Sequence, residues 1–156
     1  MVINYFAEIR RKGSAVPDLS KIPDINVTNE NGANLLHVAI AYKNFTAISE
    51  LMRLDINVNV QDYKGQTPLH YAAIFQSQEA AEAILAKGGD ISLVDSHGNS
   101  ALWSAVFHAR GKYSMVELML RNGGAKLANQ KNLHGRSPID FAKQIDDEHL
   151  AQLLEG

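Results

Sequence analysis

The chain has 156 residues, enough for one domain, and a formal net charge of −2 at pH 7. So weak a charge argues against a general binder of nucleic acid or of anionic membranes, which needs a strong basic excess. The sequence contains no cysteine, which excludes disulfides and cysteine-based metal sites or nucleophiles and fits a reducing, cytoplasmic location.

The first predicted element is a short amphipathic helix at the N-terminus. Its apolar residues follow the spacing i, i+3, i+4 and i+7 of one helical face: Val2, Tyr5, Phe6 and Ile9. The basic cluster at 10–12 follows this apolar run, whereas a secretory signal places its charges first. No apolar stretch approaches the roughly 18 residues of a membrane span. We therefore expect neither a secretory signal nor a membrane segment, and irregular structure over residues 13–23.

A repeat then begins, marked by regularly spaced glycines. Gly32, Gly65 and Gly98 lie 33 residues apart, and Gly135 follows after 37. Each glycine precedes a similar helical opening, read in order as "LLHVA", "PLHYAA", "ALWSAV" and "PIDFAK". A fixed period between about 20 and 50 residues is the signature of a stacked array.

The second repeat shows how one unit is built. Thr67 suits the N-cap of a helix and Pro68 its first position, where the missing N–H would be orphaned in any case. A second short helix follows, and Gly88 stands where a left-handed C-cap residue is needed. The apolar side of the second helix is predicted to be Ala80, Ala81, Ile84 and Leu85. One such helix pair cannot bury its apolar face alone, but several stacked pairs can.

These motifs resemble the ankyrin repeat, most closely in "GQTPLHYAA" and "AILAKGGDISLVD" of the second unit. The resemblance covers about residues 24–154 and implies an all-α solenoid of helix-turn-helix units joined by β-hairpin-like loops. We predict a single ankyrin-repeat domain whose parts are an N-terminal cap with an irregular segment (1–28), three repeats (29–61, 62–94 and 95–131) and a C-terminal capping repeat (132–156).

The last part of the chain departs from the regular period. Compared with the second repeat, two extra residues fall near "HARGKY" in the turn of the third, and two more lie between Gly123 and Gly135. Insertions in such arrays map to loops and often to the binding surface. The alternative is that these loops have lengthened without any effect on function. The final helix is expected to pack inward through Leu150, Leu153 and Leu154.

No catalytic constellation stands out, and we expect no enzyme activity, no cofactor and no metal site. Ser100 and Ser137 are explained as N-caps. The resemblance gives His37 and His70 a structural role in hydrogen bonding at the hairpin and the helix start. Two other histidines, His97 and His134, each precede a hairpin glycine, but neighbouring repeats lie roughly 8–10 Å apart, which is too far for one zinc ion to join them. Trp103 replaces the repeat histidine and is expected to fill the core; a partly exposed Trp would instead be a binding anchor.

Ankyrin arrays bind proteins, and the resemblance assigns their contacts to hairpin tips and to the exposed edge of the inner helices. We therefore expect a protein partner, with neither nucleic acid nor membrane, and a monomer when free. The partner-binding residues predicted in this way are Tyr42, Tyr63, Lys64, Gln66, Ile74, Phe75, Ser96, His97, Asn99, Phe107, His108, Leu133, His134 and Arg136.

The partner itself is suggested only by analogy. The third and fourth units, with their Leu-Trp-x-Ala-Val opening, lengthened turn and closing Gly-x-Ser-Pro, are similar to small stand-alone bacterial ankyrin proteins of the toxin-immunity type. That similarity implies an immunity protein that binds and neutralises a cognate toxin enzyme. A general intracellular scaffold or regulatory adaptor is the alternative.

Overall fold

The computed structural model describes residues 4–11 and 15–156. Within them the chain is all helical, and its only β pairing is two isolated bridges. The α-helices are α1 Tyr5–Arg10, α2 Leu35–Ala41, α3 Phe45–Arg53, α4 Pro68–Ile74, α5 Gln78–Ala86, α6 Ala101–Phe107, α7 Ser114–Arg121, α8 Pro138–Gln144 and α9 Glu148–Glu155, with 3-10 turns at Leu19–Lys21 and Gly124–Leu127. None of these helices is long and apolar enough to cross a membrane.

The helices form four pairs that stack side by side. Helices α2, α4, α6 and α8 pack on one another in that order and form the inner row, while α3, α5 and α7 pack behind them. The first helix, α1, packs on α2, and α9 packs on α8. This is the helical solenoid that the glycine spacing predicted.

Every inner helix starts with the same type of cap. The Thr67 side chain accepts a hydrogen bond from the backbone N–H of His70, and Asn34, Ser100 and Ser137 do the same for the residue three positions on. Pro68 and Pro138 occupy the first helical position. The predicted caps at Ser100 and Ser137 are therefore confirmed.

One hydrophobic core runs from the first helix to the last. Each inner helix contributes an alanine at the same position, fully buried in all four: Ala39, Ala72, Ala105 and Ala142. These small side chains let neighbouring helices approach closely, and the leucine or isoleucine three residues earlier fills the space between the two rows. Ile9 and Leu154 belong to the same buried cluster, so the terminal helices close the stack.

Some predicted core positions lie at the edge of that core. Ile84 is fully buried, but Leu85 is only partly buried against the cluster. In the last helix Leu150 and Leu154 are buried, whereas Leu153 is half-buried. Val2 lies outside the described residues, and Tyr5 and Phe6 pack against the core as partly buried side chains.

The segment expected to be irregular contains one anchor. Residues 12–14 lie outside the described part, and the rest is without regular structure except for the 3-10 turn at Leu19–Lys21, whose Leu19 is buried. The two insertions are turns: Arg110 and Gly111 both adopt positive φ before α7, and Gly123 leads into the 3-10 turn Gly124–Leu127 with φ of 95°.

We expect Ile84→Ala to lower the free energy of unfolding by about 2–5 kcal/mol, because it opens a cavity in the middle of the continuous core. Leu85→Ala removes the same three carbon atoms from a partly buried site and is expected to cost less. Urea denaturation of the two variants measures the difference. Equal losses at the two positions would contradict this orientation of α5.

Candidate protein-binding surface

Each hairpin tip is held by one acceptor side chain that bonds two backbone N–H groups. In the second repeat, Asp62 Oδ1 accepts from the N–H groups of Lys64 and Gln66, both at 2.9 Å. The same pair of bonds is made by Asn29, Asp95 and Asn132 at the other three tips. The glycine of each tip has φ of 74° or 75°, a conformation that favours glycine. The exposed side chains of the tips therefore project from nearly identical frames.

Neighbouring tips are also bonded to each other. The N–H groups of Tyr63, Ser96 and Leu133 each donate to a carbonyl of the preceding tip, and all three N···O distances are 2.9 Å. The acceptors are the carbonyls of Asn31, Lys64 and His97. The four tips thus form one hydrogen-bonded edge of the solenoid.

Two buried histidines strengthen the first two junctions. His37 Nδ1 lies at its own helix cap, and its Nε2 lies 2.9 Å from the carbonyl oxygen of Gln66 in the next repeat. His70 bonds the carbonyl of Asn99 in the same way. Burial lowers the pKa of both imidazoles, and the carbonyl bonds oppose that shift only in part. This matches the structural role implied by the resemblance.

A groove of about 310 Å³ lies at the N-terminal end of the tip edge and the inner helices. Tyr63 is 79% exposed at its rim, beside the exposed Lys64. The Arg10 guanidinium carbon sits 6.0 Å from the centre of the Tyr42 ring. The wall includes Tyr71, whose hydroxyl donates to Asp62 Oδ2 at 3.0 Å. Burial and this carboxylate raise the pKa of Tyr71 to about 12.

A second groove, of about 240 Å³, lies at the middle of the array. Its space exists because Ser104 occupies an inner-helix position that carries Tyr71 and Phe141 in the flanking repeats. Phe107 borders it, 53% exposed, with its ring 5.2 Å from that of Phe141. An apolar side chain that is already packed on one side and open on the other loses little freedom when a partner covers it.

A third groove, of about 440 Å³, separates the last two tips. Its residues are His97, Asn99, Trp103, Asn132, His134 and Arg136. The repeat spacing was expected to keep His97 and His134 too far apart for one zinc ion to join them, but His134 Nε2 is 3.5 Å from His97 Nδ1. The tips approach more closely than the helices, since the Leu133 N–H donates to the His97 carbonyl at 2.9 Å. Within residues 4–11 and 15–156, no group of three potential metal-binding side chains forms.

Trp103 is also placed differently from the main expectation. It is half-buried, forms part of two grooves, and packs against Phe141 with 5.8 Å between ring centres. The interpretation as core filling is therefore only partly correct, because one side of the indole faces outward. Trp103 occupies the helix position that His37 and His70 occupy in the first two repeats.

The turn side of the inner helices carries basic residues. Lys43, Arg110 and Lys112 line a groove of about 360 Å³ together with Phe75 and His108. The ion pairs found in the described ranges lie elsewhere, at Arg11–Glu8, Lys21–Asp18, Arg53–Glu50 and Lys143–Glu155. The acids of α5, by contrast, project from the outer row at Glu79 and Glu82.

The predicted partner-binding residues are all at least partly exposed, and most of them share grooves. Tyr42, Tyr63 and Lys64 meet in the first groove, and His97, His134 and Arg136 meet in the third. Gln66, Ile74, Phe107 and His108 border the middle groove, Asn99 joins it to the third, and Phe75 lies on the turn side. Ser96 and Leu133 are exposed on the tips outside these grooves.

Among the large groove side chains, Arg10, Tyr71 and Trp103 were absent from the predicted set, and so were the basic residues Lys43, Arg110 and Lys112. Tyr71 and Trp103 lie four residues before the predicted Phe75 and Phe107 on the same helix face, so the helical period could have identified them. Arg10 comes from the separate helix α1, and no pattern in the repeat points to it.

Comparison with known proteins identifies two regions of family similarity. Residues 5–95 match the family "Ankyrin repeats (3 copies)", and residues 97–133 match "Ankyrin repeat". The rat nuclear factor NF-kappa-B p105 subunit is 32% identical over 135 residues, which cover 82% of this chain and 14% of that protein. Human SMC5-SMC6 complex localization factor protein 1 is 30% identical over 86% of this chain and 13% of its own length. The Arabidopsis thaliana potassium channel AKT2/3 is 33% identical over 83% and 16%. The chain thus spans only a small part of these relatives.

His37 and His70 each bond a carbonyl of the following repeat, and from their pKa values we predict that mild acid destabilises the fold. Their pKa values are lowered in the folded state, so the unfolded chain takes up protons first as the pH falls through about 6.5. Stability present at pH 7.5 is therefore lost toward pH 5.5, with a slope of at most about 1.4 kcal/mol per pH unit for each histidine. Urea denaturation at the two pH values measures it. His70→Gln should reduce the slope and the exposed-site change His149→Gln should not; a free energy of unfolding equal at both pH values would contradict the assignment.

Contact between neighbouring tips predicts that alanine substitution destabilises the fold by different amounts at two glycines of the same conformation. A Cβ at Gly65 would lie 2.9 Å from the backbone nitrogen of Ser96 in the next tip, whereas a Cβ at Gly135 meets no atom within 4 Å. Both have φ of 74°, so alanine is strained at each by about 1–2 kcal/mol. We expect Gly65→Ala to lower the thermal midpoint clearly more than Gly135→Ala. The reverse order would mean that the tips are not in contact as described.

Proposed function

The chain belongs to the ankyrin-repeat family, and from this premise we propose that it is a non-catalytic protein-binding module that docks its partner on the hairpin tips and inner helices. Ankyrin repeats bind other proteins in general, and the inner row with its tips is the face on which this chain concentrates unusual side chains. We further propose that the protein is a monomer when free and acts in the cytoplasm.

The observation that carries this proposal is where large apolar side chains remain exposed. Seven such residues are found in the described part of the chain. Five of them lie on the tips or at the ends of inner helices, namely Tyr42, Tyr63, Phe107, Leu133 and Ile145. Exposed apolar surface gathered on one face is typical of an interaction site, and tyrosine is among the residues enriched at energetic hot spots.

Two more specific partners are compatible with this surface. The similarity of the third and fourth units to bacterial toxin-immunity proteins supports a toxin enzyme as the partner, which the chain would neutralise. The relatives named above favour the alternative of a scaffold or adaptor, because their names describe a subunit, a complex localization factor and a channel, and none is named an immunity protein.

The docking face is tested with alanine variants at its two most exposed aromatic positions. A partner is first identified by affinity capture on the immobilised full chain followed by mass spectrometry. We then expect Tyr63→Ala and Phe107→Ala each to weaken its binding by more than about 1 kcal/mol, since such side chains are desolvated at an interface centre. Isothermal titration calorimetry gives the dissociation constants, and the thermal midpoint of each variant checks that the fold is retained.

The matched control lies on the outer row. Glu79→Lys and Glu82→Lys change exposed residues of α5 and should leave the dissociation constant nearly unchanged. If these reversals abolish binding while the two alanine variants do not, the partner docks on the outer helices, and the proposed face is wrong.

The same captured partner separates neutralisation from scaffolding. An immunity protein is expected to suppress its partner's activity at equimolar concentration, and Tyr63→Ala or Phe107→Ala should release that activity. A partner whose activity is unaffected by saturating amounts of the chain, or that has none, would favour the adaptor. A neighbouring gene for a secreted toxin would support the first proposal.

A further inference from the structure

The groove between the third and fourth tips, which we call the C-terminal tip groove, gathers hydrogen-bond donors without an acid among them. Its walls hold two imidazoles, one guanidinium and one indole, from His97, His134, Arg136 and Trp103. Arg136 is exposed, and the ion pairs of the described ranges do not include it. Its own backbone N–H is bound to Asn132, so the guanidinium extends from a fixed point.

The floor of the groove is rigid and its amides are already engaged. Asn132 Nδ2 donates to Asn99 Oδ1 at 2.8 Å across the repeat boundary. Asn132 Oδ1 accepts from two backbone N–H groups of its tip, and Asn99 Nδ2 lies 3.4 Å from Asp95 Oδ2. Because these amides are satisfied within the protein, an incoming group would meet the ring nitrogens and the guanidinium first.

Two carboxylates lie in the segments beside the groove but do not line it. Asp95 sits at the base of the third tip, where its carboxylate accepts from the N–H groups of His97 and Asn99. Asp140, at the start of α8, accepts from the N–H of Ser137, which lowers its pKa. Both carboxylates are thus bound to backbone donors. Lys131 and Lys64 add positive charge on the adjoining residues of the fourth and second tips.

The contact between the two imidazoles of the groove is weak, so an incoming group can replace it. At 3.5 Å, His134 Nε2 and His97 Nδ1 are farther apart than in a strong hydrogen bond, and only one of the two can carry the shared hydrogen. An anion beside the pair can accept a hydrogen bond from a ring N–H of either imidazole.

We propose that the C-terminal tip groove receives a carboxylate, supplied by an Asp or Glu side chain of the docked protein partner. Each imidazole of the pair has a ring N–H to donate, and hydrogen bonds to a carboxylate are stronger than those between neutral groups. Arg136 supplies the permanent charge and Trp103 the apolar wall that covers the methylenes of the acid. This inference rests on the proposed docking face and adds to it the chemistry of one contact.

Trp103 is the only tryptophan of the chain and borders both this groove and the middle one, so variants confined to this groove decide where a probe binds. The full chain is titrated at pH 7.5 with a capped peptide of alternating glutamate and glycine. The glutamine counterpart of that peptide and inorganic phosphate serve as the competing probes. We expect a saturable change in Trp103 emission with the glutamate peptide. We expect no saturation with the glutamine peptide.

Matched variants separate the groove from general charge. Arg136→Gln and His134→Gln should each weaken binding of the glutamate peptide by roughly tenfold, since each removes a hydrogen bond to its carboxylate. Arg121→Gln removes the same charge from the outer helix α7 and should change nothing. Unaltered thermal midpoints show that the variants are folded.

Three outcomes would overturn the inference. They are equal binding of the two peptides, saturation by phosphate alone, and an affinity for the glutamate peptide that Arg136→Gln leaves unchanged. None of these would affect the proposed function, which is decided by Tyr63→Ala and Phe107→Ala with the captured partner. A partner whose binding needs those aromatic residues but is unaffected by Arg136→Gln would leave the docking face intact and refute the carboxylate contact.

Discussion

The hydrogen bond from each hairpin tip to the one before it is the constraint on which the rest of the structure depends. It occurs three times with the same 2.9 Å distance, and it fixes the offset between successive repeats. That offset decides which side chains become neighbours across a junction. The buried alanines of the inner helices are compatible with the same close spacing, so the core and the tip edge impose one geometry together. The grooves are what remains where side chains do not fill this fixed space.

The helices and hairpin tips could be predicted because their residues recur at a regular spacing along the sequence. Caps at Thr67, Ser100 and Ser137 follow from single residue types at helix starts, and the glycines mark the tips. The failures concern local placement within a correct frame. The distance between His97 and His134 was judged from the spacing of helices, but the tips lie closer together than the helices, because the Leu133 N–H is bonded to the His97 carbonyl. Likewise, a partial turn of α5 separates the buried Ile84 from the half-buried Leu85.

The binding surface is uneven along the array, and this unevenness is where specific recognition can arise. Its N-terminal groove combines tyrosines with Arg10 and Lys64, its centre exposes Phe107, and its far end holds imidazoles and Arg136. The relatives are about one third identical to this chain over the matched repeats, and their sequences extend far beyond them. Similarity at this level concerns the helices and hairpins that all ankyrin arrays need. The repeat pattern could not predict the contribution of Arg10, because Arg10 belongs to α1, a helix that precedes the repeats.

The three junctions of the solenoid are not equally fastened. A buried histidine spans the first and the second, bonding a carbonyl of the following repeat, but Trp103 takes its place at the third. The third junction is joined instead by other partly buried side chains, with Asn132 Nδ2 bonded to Asn99 Oδ1 and the Tyr113 hydroxyl bonded to Asp147. His97 and His134 stand on opposite sides of that same boundary. Any molecule that binds both would link the last two repeats directly, so that its occupancy and the stability of the final repeat rise together.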